Sequence, residues 1–194
     1  PVEVGGSQIV YFNDALYVFS SGNPALIYDG TSVASMDDAA NYIPPQDDTG
    51  IIATSVDGDV ALAAYGRMWV AGVNGNYNTI YYSDLLIGTQ WYDGKATPTD
   101  TQNTGGIIDV SEYWPNGGDR IVSIKAHNNF LVVFGRESIL LYANAASGDP
   151  AGVDGISLPD TLKNIGAISR DAVVNTGSDV LFVDDSGIRS LGRT

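Results

Sequence analysis

The chain has 194 residues, 44% of them hydrophobic and 16% charged, which is enough for a buried core and too apolar for a disordered segment. Its net charge of −14, from 23 acidic against 9 basic residues, opposes stable attachment to nucleic acid or anionic lipid, because both rely on neutralised phosphates. The absence of cysteine excludes disulfides and thiolate metal sites, and no apolar run approaches the roughly 18–20 residues of a membrane helix.

Only Glu3, Glu112 and Glu137 are glutamates, so the acidity is almost all aspartate, a turn former, and 23 Gly and 8 Pro accompany it. That composition predicts an all-β fold. A chain that begins at Pro1 reads as a piece of a longer protein.

In chain order, "SQIVYF" from Ser7 and "NDALYVFSSGNPALIYDG" from Asn13 read as three strands joined by tight turns, with "TSVASM" from Thr31 as a fourth. "SMDDAANY" from Ser35 predicts a short helix ended by Pro44 and Pro45. "DVALAAY" and "GRMWVAGVNGNYNTIYYSD" from Gly66 repeat the three-strand pattern, with a fourth strand expected around Trp91. The polar stretch from Asp93 to Gly118 reads as an insertion that carries contacts or mobility.

"DRIVSIKAH" and "NNFLVVFGRESILLYAN" from Asn128 form the third copy, with "GISL" from Gly155 as its fourth strand. "LPDTLKNIG" from Leu158 predicts a second short helix, with Asp160 in an N-cap position and Gly166 as its stop. "RDAVVNT" and "GSDVLFVDDSGIRSLG" from Gly177 complete a fourth copy.

Leu16, Met68, Phe130 and Val180 occupy equivalent places, spaced by about 50 to 60 residues, which indicates one supersecondary unit per repeat. The hairpin strands are apolar on both faces: Phe130, Val132 and Phe134 oppose Leu131 and Val133, while Leu16 and Val18 oppose Ala15, Tyr17 and Phe19. A sheet stacked between two others needs that pattern, whereas a sheet with one wet face alternates apolar with polar. The fold expected is therefore a β-propeller or propeller fragment of about four antiparallel blades, each of three to four strands. Residues 1–194 read as a single propeller-like domain, with units near 7–36, 58–93, 107–158 and 165–194. The alternative is a β-sandwich or a set of meanders without rotational symmetry.

No catalytic, cofactor-binding or metal-ligating residue is assigned. His127 is the only histidine and could serve a Ser/His/Asp triad only if a serine and an aspartate were positioned around it. Paired carboxylates for glycoside hydrolysis are conceivable among so many aspartates, but no Asp-box signature recurs. Asp37, Asp38, Asp47, Asp48, Asp57 and Asp59 crowd one connecting region and could hold calcium, although "SVDGDV" from Ser55 reads more simply as a turn. Trp91 and Trp114, in or near loops, are the better candidates to stack on a sugar or base, and Trp69 sits inside a strand; packing is the expected role of all three.

Three stretches, in this order, resemble one family. They are "GRMWVAGVNGNYNTIYYSDLLIGTQWYDG" from Gly66, "IIDVSEYWPNGGDRIVSIKAHNNFLVVFGRESILLY" from Ile107, and "IGAISRDAVVNTGSDVLFVDDSGIRSLG" from Ile165. Together they resemble the nozzle proteins of short-tailed phages, also called tail tubular protein B or packaged-DNA stabilisation proteins. The resemblance implies a non-enzymatic virion component of the tail, propeller-bearing and assembled in a hexameric ring below the portal. It also implies tail adaptor and tail fibre neighbours, with DNA in transient passage and no membrane insertion. Head-to-tail contacts in such a ring would use loops such as Asp93 to Gly118. The second functional class considered is a carbohydrate-binding or adhesin-type propeller, and the third a propeller glycosidase.

Overall fold

The computed structural model describes residues 6–36, 58–89, 91, 104–115, 117–147 and 155–193. They build four antiparallel sheets, each a meander, and no α-helix occurs among them. The first sheet is β1 (Gln8–Phe12), β2 (Ala15–Ser20), β3 (Asn23–Tyr28) and β4 (Val33–Ser35). The second is β5 (Val60–Ala64), β6 (Arg67–Ala71), β7 (Thr79–Tyr82) and β8 (Gly106–Asp109). The third is β9 (Ser123–His127), β10 (Phe130–Phe134), β11 (Ser138–Ala143) and β12 (Ser157–Lys163). The fourth is β13 (Val173–Asn175), β14 (Val180–Asp184) and β15 (Gly187–Ser190). The chain is thus all-β and propeller-like in construction, a run of blade-type meanders.

The turns explain why these strands fold back where they do. Asn13–Asp14, Tyr65–Gly66 and Asn128–Asn129 each have two successive positive φ angles, between 45° and 71°, and join strands paired across a two-residue loop. This is the type I′ pattern, whose twist matches the strands it connects and which Asn, Asp and Gly tolerate best.

The chain divides into two compact units, Pro1–Ile108 and Asp109–Thr194. In the first, β1 lies beside β5, and Phe12, Tyr17, Phe19 and Ile27 share a core with Met68, Val70, Tyr81 and Trp91. In the second, β13 lies beside β9, and Val132, Phe134 and Ile139 share a core with Val173, Val180 and Phe182. The Phe134 and Phe182 rings tilt against each other at 5.2 Å.

Side-chain parity orders these contacts. In β2 the first, third and fifth residues face the second sheet, with Tyr17 and Phe19 in the shared core, and β6 answers with its second and fourth, Met68 and Val70. The second unit repeats this: β10 presents its third and fifth residues, Val132 and Phe134, to Val180 and Phe182 of β14, which align with Leu16 and Val18 of β2. Within each unit, one face of the earlier sheet therefore meets the opposite face of the later one.

Several expectations are corrected. Leu158–Gly166 is not a helix: Ser157–Lys163 is an edge strand paired with β11. Its capping signals could support only a turn or two, too short to nucleate against edge pairing, and Pro159 is tolerated at a sheet edge beside the bulge between Leu141 and Ala143. The fourth strand of the second sheet is Gly106–Asp109 rather than the region of Trp91, so "IIDV" closes that sheet instead of opening the third. Burial on both faces holds through β6 and β7 and from Leu131 to Phe134 of β10, but fails for the first and fourth sheets. The first sheet exposes Ile9, Tyr11, Leu16, Leu26, Tyr28 and Val33, and the fourth exposes Val174 and Ile188. The helix expected from Ser35 lies almost wholly outside the described residues.

Candidate functional site

The aspartates are placed first by the backbone they serve. Asp29 accepts the amides of Thr31 and Ser32 at 2.8 and 2.7 Å and the Ser32 hydroxyl at 3.0 Å, closing the turn between β3 and β4. Asp119, ahead of β9, accepts the amides of Arg136 and Glu137 just beyond β10. Asp179, ahead of β14, accepts the Ser190 hydroxyl and the Gly192 amide just beyond β15. Asp59, ahead of β5, accepts the Tyr77 hydroxyl at 2.8 Å, and in the first sheet Ser7 and Ser20 meet at 3.0 Å. Each sheet thus has a residue that leads into a hairpin and a polar latch reaching past its return strand.

These donors set the electrostatics. The Ser32 amide lowers the pKa of Asp29, the Arg170 guanidinium that of Asp171, the Ser190 hydroxyl that of Asp179, and the Ser186 hydroxyl that of Asp184. Burial opposes the charge on Asp84, yet the Thr104 hydroxyl and amide, the Leu85 amide and the nearby Arg67 cation still hold its pKa low. All five stay ionised at neutral pH, whereas a general acid needs its pKa raised.

Arg67 is fully buried and anchors the segment at Thr104 to the second sheet. Its Nη1 donates to the Ser83 and Thr104 carbonyls at 2.8 and 3.1 Å, its Nη2 to the Thr104 hydroxyl at 2.8 Å, and its guanidinium lies 5.7 Å from the Tyr82 ring centroid. Asp84 takes the same Thr104 hydroxyl and amide at 2.7 and 3.0 Å. The network is structural.

The second unit contains a cleft of about 410 Å³, lined by Arg136, Glu137, Asp184, Asp185, Ser186 and Arg189 among others. Its charges are spent on each other. Arg189 Nε donates to Asp184 at 2.9 Å and Nη2 to Ser186 at 2.6 Å, while Arg136 donates to the Ile168 carbonyl at 2.8 Å and reaches Asp185 at 3.4 Å. The Ser186 hydroxyl donates to Asp184 at 2.6 Å, but that carboxylate's pKa is held low by the same bond and by Arg189, which makes it a poor base toward the hydroxyl.

The candidates read from the sequence do not converge. His127 ends β9 with Nε2 3.0 Å from the Asn128 side chain. Asp179 is near enough for His127 to favour its charge, but the Ser190 hydroxyl donates to Asp179 itself, so the serine is not activated by the imidazole. Trp69 donates to the Ala64 carbonyl and tilts against Tyr82 at 5.3 Å, in keeping with packing. Trp91 and Trp114 are 4% and 5% exposed, so neither offers a stacking surface; Trp91 donates to the Gly88 carbonyl from within the core. Of the proposed calcium ligands only Asp59 lies among the described residues, and no group of three or more His, Asp or Glu that could hold a metal occurs among them.

No protein-family model matches the chain, and no curated protein does. Similar solved structures include the computationally designed Ika8 protein, at TM-score 0.46 and 8% identity over 94% of this chain and 44% of that one. The computationally designed Ika4 protein has TM-score 0.45 and 10% identity over 98% and 94%, and the AfRom2 CNH domain 0.48 and 13% over 96% and 49%. The chain thus spans less than half of the Ika8 and AfRom2 chains. None of these likenesses bears on function.

Proposed function

We propose that this chain is a structural virion protein, a nozzle or tail-tube component of a short-tailed phage that helps retain packaged DNA and forms part of the conduit for its ejection. The observation that carries the reading is the order of three motifs along the chain, the second of which begins on the last strand of the second sheet and continues through the third. "RMWVAG" and "IYYSD" lie on β6 and β7, "IIDV" through "SILLY" on β8 to β11, and "VLFVDDSGIRSL" on β14 and β15.

The electrostatics support it. A conduit should not grip what passes, and low-pKa aspartates are fixed negative charges that repel phosphate at any physiological pH. No Lys or Arg precedes Arg67, so the first sheet offers DNA nothing to neutralise it. The sugar-binding alternative has less behind it, since Trp91 and Trp114 are buried.

Electron cryomicroscopy of the assembled protein, combined with gel retardation of duplex DNA at low salt, tests the reading. The expected result is a ring whose lumen is lined by carboxylates and a protein that leaves DNA mobility unchanged. A lumen dominated by Lys and Arg, or a saturable response to a glycan, would overturn it.

A further inference from the structure

The two lysines among the described residues sit in opposite surroundings. Lys163 is exposed at the end of β12, whereas Lys125 is half-buried in the middle of β9. Lys125 stands directly across from Val132, a member of the core shared by the third and fourth sheets, so its stem runs along that covered face. A single 3₁₀ turn, Arg170–Ala172, and the strand that follows it lie beside β9 and close over the same side.

The carboxylate best placed to hold the ammonium is already engaged. Arg170 donates from Nε to one oxygen of Asp171 at 3.0 Å and from Nη2 to the other at 3.3 Å. Lys125 makes no hydrogen bond or ion pair among the described residues. β10 and β13 present no titratable side chain to it, and the remaining neighbour on its own strand is His127, with Asp179 beyond. Desolvation lowers the Lys125 pKa; Asp171 opposes this, Arg170 reinforces it, and the net direction is down. A lysine held against apolar surface beside a second cation keeps more of its amine in the free, nucleophilic form.

We propose that Lys125 is a nucleophilic amine and a site of covalent modification by small activated acyl compounds of the acyl phosphate class. Nζ attacks the acyl carbon, the new N–C bond forms, and the C–O bond to phosphate breaks. Phosphate leaves with that bond's electron pair, and the amine proton passes to solvent. The product is a neutral amide, so a charge that is costly to desolvate is removed. Lys125 and Arg170 outnumber Asp171, which makes this a cationic spot on a chain of net charge −14 and favours an anionic acyl donor.

The test is acetylation of the full chain with acetyl phosphate, read by mass spectrometry of the peptides that carry Lys95, Lys125 and Lys163. At about pH 8, Lys125 should be acetylated about three- to tenfold faster than Lys163, and the ratio should shrink toward one near pH 10, where both amines are largely free. In urea the two should react alike, because the preference comes from the fold. Lys125→Arg should lose the fast phase in the intact mass and keep the slower ones. Equal or slower labelling of Lys125 at about pH 8, a preference that persists in urea, or a fast phase that survives Lys125→Arg would overturn the proposal. It does not depend on the conduit reading, so retarded DNA would reject that reading while leaving this site standing.

Discussion

Asp119 takes the backbone amide of Arg136 on one carboxylate oxygen at 2.7 Å, while its second oxygen takes the amide of Glu137 at 2.9 Å. One side chain thereby closes the end of the β9–β10 hairpin and fixes the chain's entry into β11. Charge-assisted bonds to backbone amides contribute about 1.5–3 kcal/mol each when partly shielded. Asp119→Ala should therefore destabilise by about 2–3 kcal/mol. Asp119→Asn, which keeps a single acceptor, should lose roughly half as much. Urea unfolding curves of the two variants check the order; equal losses would show that the second amide bond contributes nothing.

Gly166 lies where any side chain would collide with backbone. A Cβ there would meet the carbonyl carbon and oxygen of Arg136 and the carbonyl oxygen of Gly135, none of which can swing aside as a side-chain tip could. Gly166→Ala should cost about 1–3 kcal/mol or more, since overpacking against main chain is relieved only by moving a strand. Gly177→Ala is the contrast: nothing lies within 4 Å of its Cβ, but its φ of 87° makes the loss conformational. Thermal unfolding of both separates steric from backbone cost.

The Tyr142 hydroxyl is buried with no hydrogen-bond partner among the described residues, its ring edge-on to Tyr113 at 6.5 Å, and burial pushes its pKa well above the ordinary tyrosine value. Tyr142→Phe should leave stability unchanged or raise it by about 0.5–1 kcal/mol, because an unsatisfied group is removed with its ring packing kept. In the parent, ionisation is favoured only in the unfolded chain, so this residue's contribution is present below the ordinary tyrosine pKa near 10 and lost above it. Absorbance titration near alkaline pH should show one tyrosine fewer in Tyr142→Phe only when the protein unfolds.

Asp84 should make the Arg67 network sensitive to acid. Its folded pKa is lowered, so the stabilisation it gives is complete above the unfolded value near 4 and lost as pH falls through the folded one. Asp84→Asn should cost about 2–3 kcal/mol at neutral pH by weakening the bonds to Thr104 and Leu85. The gap between parent and variant should narrow below about pH 4; a constant gap down to pH 2 would remove the charge from the explanation.

Much of the fold was legible from local chemistry. Asn128–Asn129 and Asn13–Asp14 announced tight hairpins because few residue pairs accept two successive positive φ angles. The alternating apolar residues of "FLVVF" announced a strand covered on both sides, and Leu131 through Phe134 are all buried. The edge strand at Leu158 was misread because its capping signals are local, whereas the partner that overrides them, β11, comes earlier in the chain and is joined through a loop. All three tryptophans are buried, as their expected packing role requires, but the sequence marks Trp91 only as near a loop, and the fold brings the core to it.

The sequence by itself determined an acidic, all-β chain of repeated hairpins, since composition, turn chemistry and two-residue periodicity act between neighbours a few bonds apart. Only the tertiary structure decided which apolar faces are covered, which aspartates latch a hairpin, and whether Ser190, Asp179 and His127 are arranged for chemistry. Those outcomes depend on groups that meet across sheets: Val70 and Leu16 stand on strands of the same parity, yet Val70 is buried against the first sheet while Leu16 lies on an uncovered face.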